Sequence, residues 1–239
     1  MKALALACAL LFVGANVANA QFTASAHDFS DGVTHTTDST YLADATEGVW
    51  NPTADKCNVC HEAHTPGFAN PLWHRNMSVS ATFTVYGDPS LPSGSLDATV
   101  GQPDGETVMC LTCHDGVAGL DQYGWANAFG PGTGAGTGYV PPHPFGGDLS
   151  SDHPVSFVYD AGLATTDGFL FDPTATAVPT QTAFNGFVQN GTIQDVLLGA
   201  NDKLQCSSCH DVHNKWANDH LLNVPYTSSE ICETCHDKG

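Results

Sequence analysis

The stretch from Cys206 to His213 reads CSSCHDVH, and an earlier twin from Cys57 to His64 reads CNVCHEAH. C-x-x-C-H is the attachment signature of a c-type haem. The two cysteines add across the haem vinyl groups as thioethers, and the histidine that follows binds the iron from one side. On a helical turn, Cys at i and i+3 and His at i+4 share one face, which sets the short spacing. A second histidine three residues later cannot reach the opposite face of the same iron. It is expected to ligate a different haem packed close by, which turns neighbouring sites into a wire.

Of the nine cysteines, Cys8 stands alone near the start. The other eight fall in four motifs: CNVCH (Cys57, Cys60), CLTCH (Cys110, Cys113), CSSCH (Cys206, Cys209) and CETCH (Cys232, Cys235). Paired cysteines also hold zinc, exchange electrons as dithiols or form disulfides in exported chains. None of these chemistries explains a histidine after every second cysteine, four times out of four. The reading is four covalently attached haem c groups with His61, His114, His210 and His236 as proximal iron ligands.

The second axial position follows from counting. His64 and His213 lie beside a haem by the C-x-x-C-H-x-x-H spacing. His27 and His153 complete a repeat: one upstream histidine, two attachment sites and one histidine at the i+3 position, twice over. This divides the chain into a leader (1–20), a first dihaem unit (21–125) and a second (126–239), together one compact mature domain. His74, His143, His35 and His220 break the repeat and stand as further distal candidates. Met77 is the only methionine placed to ligate, because Met109 is pinned beside Cys110.

Axial identity decides function. Histidine on both faces leaves no open position for oxygen or substrate and keeps the potential below that of a His/Met site. Such haems pass electrons and do little bond chemistry, so no catalytic residue is expected. A reductase would need one iron without a distal ligand. An acid follows each proximal histidine (Glu62, Asp115, Asp211, Asp237), for which surface solvation is the plain account and turn capping or a lowered potential the alternatives.

Lys2, an apolar run from Ala3 to Ala15, and Ala18-Asn19-Ala20 before Gln21 read as a cleaved export signal. Cys8 comes too early, and in too poor a context, for lipid attachment. The run is too short to span a membrane, and no later stretch is long enough. Without Lys2 the mature chain has five basic residues against 25 acidic ones, one unit more negative than the −19 of the whole sequence. That surface argues against nucleic acid or anionic lipid as partner.

Cleavage leaves 219 of the 239 residues, about 55 per haem, little polypeptide from which to build a core. The fold expected is mostly irregular chain wrapped around haems, with a few short helices at the C-x-x-C-H sites and minor β structure. Short strands are expected at Ala81–Tyr86 and Val155–Tyr159. Gly116 should end the helix of CLTCH. A two-turn helix is expected behind Thr192 with Gly199 as its stop. Thr227–Glu230 reads as a capping box opening the last haem helix. The glycine-alternating stretch 130–138 and Pro141-Pro142-His143-Pro144 read as a linker.

AHDFS, CNVCHEAH, NPLWHRNMSVSATFTVYG, GQPDGETVMCLTCHDG, SDHPVSFVYD and CSSCHDVH…SSEICETCHDKG resemble the multihaem c-type cytochromes of metal-reducing bacteria, over most of the mature chain. Haem count and length are most similar to the extracellular tetrahaem kind that polymerises into conductive filaments, the OmcE type. The resemblance implies bis-histidine haems stacked in alternating parallel and T-shaped pairs. It also implies a homo-polymer in which each subunit lends one histidine, by position His64, to a haem of its neighbour. Other cytochromes or extracellular electron acceptors would be its partners. One departure is local: relatives often read Trp-Asn-His where this chain has Trp73-His74-Arg75. A monomeric periplasmic carrier would use the same haems without assembly.

Overall fold

The computed structural model describes residues 25–29, 56–62, 72–75, 82–87, 96–116, 145–183 and 186–237. The leader, the glycine-rich stretch 130–138, Pro141–Pro144, His35, His64, Met77 and His143 lie outside these. Most of the described chain is coil. Its helices are α1 (Gly105–His114), α2 (Ala161–Asp167), α3 (Ile193–Val196), α4 (Cys206–Cys209) and α5 (Glu230–Glu233), with three short 3-10 turns. Strand β1 (Phe157–Val158) pairs antiparallel with β4 (Lys203–Leu204), and β2 (Gln181–Thr182) with β3 (Val188–Gln189). No helix among the described residues is long and apolar enough to cross a membrane.

The larger apolar cluster gathers Phe157, Tyr159, Ala164, Val178, Ile193, Leu197 and Leu204, and Cys235 of the last motif packs against it. Helix α2 adds Ala164 to this cluster. Asp160 caps its start, accepting from the Leu163 N–H at 2.8 Å. Gly168, at φ 75, ends it with an N–H bonded to the Ala164 carbonyl, a left-handed cap that glycine adopts without Cβ strain. A smaller cluster of Phe83, Leu111 and Leu149 surrounds α1. The core therefore forms beside attachment motifs.

Several local expectations are corrected. Helix α3 has the Thr192 start, where a capping box joins Thr192 and Asp195, but it makes one turn rather than two. The Gly199 N–H already bonds the Lys203 carbonyl at 2.8 Å, so the chain has left the helical path. The strand expected at 155–159 shortens to two residues because Ser156 sits at φ 63, outside the extended region. Over the described part of 81–86, Thr84 makes a single parallel bridge to Asp148. The Phe83 backbone is held instead by the Gln102 side chain, which accepts from Phe83 N at 2.8 Å and donates to Phe83 O at 2.9 Å. Helix α5 starts at Glu230, two residues after the Ser228 start that a Thr227–Glu230 capping box sets, and the residue that caps it, Ser229, adopts φ 64, ψ 21 and makes no side-chain bond. A left-handed residue cannot aim its hydroxyl at the N3 amide as an extended one does. Gly116, at φ 74, follows Asp115 at the end of α1.

Candidate functional site

Each motif forms a single helical turn. The N–H of His61, His210 and His236 bonds the carbonyl of the first cysteine, Cys57, Cys206 and Cys232, at 2.8, 3.0 and 3.0 Å. CLTCH lies within the last turns of α1. Both cysteines and the histidine of a motif therefore face one way. None of the eight motif cysteines is joined to another as a disulfide.

After the turn three of the four histidines enter a one-residue antiparallel bridge: His61 with Trp73, His210 with Leu222, and His236 with Leu170. The residue after each histidine donates its N–H to the facing chain (Glu62 to Leu72, Asp211 to Leu221, Asp237 to Phe169). The second cysteine accepts in return, from His74, Asn223 and Phe171. The backbone at these three motif histidines is thus held from both sides. The acids that follow them are not all solvated surface. Asp115 is fully buried, and Asp211 accepts from the His213 and Lys215 amides at 3.1 and 2.5 Å, a turn cap.

The histidine rings are paired. His61 stacks with His213, centroids 6.1 Å apart and planes at 16°. His114 meets His27 edge-on at 6.2 Å, and His236 meets His153 edge-on at 6.3 Å. Ring bonds of about 1.33 Å put each nitrogen of an imidazole about 1.1 Å from its centroid. Metal–imidazole bonds are about 2.0–2.1 Å, so two rings facing each other across one metal stand about 6.3 Å apart. The three pairs fit that spacing. Spacing by itself is not selective, since His27–Phe29 and His61–Trp73 lie at 6.1 and 6.2 Å. The selectivity lies in the partners. Each pair joins one motif histidine to one histidine outside the motifs, and none is used twice. His74, though buried, and His220, which is exposed, join none of the pairs. His210 pairs with no described histidine, although its Nδ1 is fixed by the His220 carbonyl at 2.9 Å. Holding a ligand ring through its other nitrogen is the usual second contact of a metal-binding histidine. His153 is held likewise by the Pro154 carbonyl at 3.0 Å. Burial, reinforced by His114, pushes His27 down to about 4. Burial also lowers His114, with His210 adding to it. Both rings are therefore neutral at pH 7, as ligation requires.

The motifs also stand next to one another. Cys60 lies within electrostatic reach of Cys113, and Cys209 of Cys232 and Cys235. The Cys110 thiol hydrogen-bonds to Cys206, raising the first well above the ordinary thiol range and lowering the second to about 7. Each motif thus has its neighbour in sequence close by, and the His61–His213 pair brings the first beside the third as well.

The middle contact is fastened by Gln205, immediately before CSSCH. Its Oε1 accepts from Thr107 N (3.1 Å), Thr107 Oγ1 (2.5 Å) and Ser156 Oγ (3.4 Å), and its Nε2 donates to Asp104 Oδ1 (3.0 Å). Thr107 Oγ1 in turn accepts from Cys206 N at 3.2 Å. Gln205 is 2 % exposed and Thr107 1 %. Gly105 sits here at φ 53, where a Cβ would stand 3.1 Å from Gln205 Nε2. Lys203 pairs with Asp104. Burial works to raise the Asp104 carboxyl, but hydrogen bonds from Lys203 and Gln205 hold it below its ordinary value. Neither Gln205 nor Thr107 carries a motif that sequence reading could have used.

Residues 199–239 match the family model described as the doubled CXXCH motif, the stretch that holds the third and fourth sites. The doubled motif indicates a multihaem c-type cytochrome, with covalently attached haem c and electron transfer as its chemistry. A search of the curated proteins finds no match.

Proposed function

We propose that this protein conducts electrons along four covalently bound haems, each closed by two histidines, and that copies join end to end outside the cell. The observation that carries the reading is the pairing of rings: His213 with His61, His27 with His114, and His153 with His236. Haem supplies a reversible one-electron change at its iron. The chain's own residues would hold each haem through the two cysteines and the histidine of its motif, and His213, His27 and His153 would supply a second imidazole at the sites of His61, His114 and His236. With both positions closed, oxygen and substrates have no place to bind, and conduction is what remains.

The His61–His213 pair also supports the wire. His213 lies three residues after His210, so one short segment serves the third site with His210 and the first with His213. By the repeat, His64 is the counterpart of His213 and the distal ring for a His210 site. We assign it across the junction between copies. Subunits near −20 repel one another, and a metal–imidazole bond between chains is a short-range attraction strong enough to overcome that. The leader motif supports export.

Two tests follow. Replacing Cys232 and Cys235 together by alanine is expected to lower the mass by one haem, from four to three; an unchanged mass removes the fourth site. His64→Ala should leave four attached haems, make one of them high-spin, and abolish filaments in electron micrographs of secreted material. A high-spin haem with filaments of normal length would place the ligand within its own chain and refute the junction.

A further inference from the structure

We propose that His74 is a latch on the first attachment loop, the counterpart of Asn223 on the third, and that it binds no iron. The two loops superimpose contact by contact along the chain. His61 bridges Trp73 and His210 bridges Leu222, in each case twelve residues on. The preceding leucines, Leu72 and Leu221, both adopt the left-handed region, at φ 65 and φ 58, a conformation uncommon outside glycine. That shared kink turns the Leu72 carbonyl to the Glu62 N–H (2.9 Å) and the Leu221 carbonyl to the Asp211 N–H (2.6 Å). The next residue but one returns the bond, His74 N to Cys60 O at 2.9 Å and Asn223 N to Cys209 O at 2.8 Å.

The side chains then do the same work. His74 Nδ1 lies 2.6 Å from the carbonyl of Asn58, and Asn223 Nδ2 lies 2.7 Å from that of Ser207, both across 16 residues. Asn58 and Ser207 hold the same place, the first residue between the two cysteines. A carbonyl only accepts, so His74 Nδ1 carries the proton and has no lone pair for a metal. Its other nitrogen, Nε2, stands 2.9 Å from Glu62 Oε2. Both ring nitrogens thus lie against protein oxygens, a backbone carbonyl and a carboxylate, and the side chain is 3 % exposed. The contrast is His210, which uses Nδ1 alone on a backbone carbonyl, the pattern of a ligand.

His74 is therefore a positioning residue. It ties the carbonyl inside CNVC to the chain that faces it and touches the acid next to His61, so it holds the loop on which His61 is presented. The latch is a matter of polypeptide contacts; its effect on a haem rests on the reading given above.

The experiment compares the haem-loaded protein with His74→Asn, His74→Ala and Asn223→Ala. Asparagine at 74 is expected to restore the latch as the third loop has it. His74→Asn should then keep every haem low-spin, bind no carbon monoxide when reduced, and leave the stepwise reduction curve unchanged. His74→Ala and Asn223→Ala should each shift the midpoint of a single haem and speed amide exchange at Glu62 or Asp211 by about tenfold, the loss of one buried hydrogen bond. A high-spin ferric signal or carbon monoxide binding in His74→Asn would make His74 a ligand and overturn the latch. A His74→Ala protein identical to the parent would overturn it as well. If His74→Ala does not mature, His74→Asn decides alone. A parent protein without haem would instead sink the functional reading and leave the loop contacts standing.

Discussion

Gln205→Leu is expected to lose about 3 kcal/mol of stability and to slow electron passage between the second and third sites, because it strips the clamp between α1 and α4. Leucine has similar volume but no polar atoms. Thr107 would keep a buried N–H and hydroxyl with their acceptor gone, and each unsatisfied buried group costs about 1–3 kcal/mol. Part of that is recovered as the Thr107 hydroxyl turns elsewhere, which keeps the total near the lower sum. The same contacts hold the start of CSSCH against the start of the CLTCH helix, since Cys206 N bonds Thr107 Oγ1. Loss of the clamp should therefore move one attachment turn against the other. Denaturant unfolding measures the first effect. Stopped-flow reduction, resolved haem by haem, measures the second. Gln205→Glu keeps the acceptor for Thr107 but sets a second carboxylate against Asp104 in a buried place, and should destabilise at least as much as leucine. Unaltered unfolding in Gln205→Leu would show that the network contributes nothing.

His153→Ala is expected to open one iron. His153 stands edge-on to His236 at 6.3 Å, and Pro154 holds its other nitrogen. The cysteines of the fourth motif are untouched, so four haems should remain attached. One should turn high-spin, bind carbon monoxide on reduction, and shift upward in midpoint by on the order of 0.1 V. Axial ligation commands a span of about 0.8 V, and an imidazole donor favours ferric iron. Absorption and paramagnetic resonance spectra read the spin state directly. A spectrum that stays wholly low-spin would remove His153 from the ligand set and, with it, the pairing on which conduction is argued.

Attachment was legible in the sequence because its geometry is local. Cysteine, cysteine and histidine share one helical turn, and the bonds from His61, His210 and His236 to the first cysteines form that turn within five residues. The scarcity of regular structure was legible too, from chain length, glycine and proline. Individual elements were harder. Phe83 found a glutamine amide where a strand partner was expected. Ser228 and Ser229 took left-handed conformations where the first helical turn behind Thr227 was expected. Both outcomes depend on neighbours remote in sequence or on a backbone state that residue type does not dictate. His74 shows the limit most clearly. As a histidine near an attachment motif it reads as a ligand candidate, and only the fold shows that its two nitrogens lie against the Asn58 carbonyl and the Glu62 carboxylate.

By itself the sequence determined the class of chemistry, through four C-x-x-C-H motifs that imply covalently attached haem c. Tertiary structure decided the company each ring keeps and the buried Gln205–Thr107 contact across 98 residues. The reason is physical. A covalent motif needs only the few residues that close one turn, whereas a ring's partner is chosen by every fold of chain lying between the two.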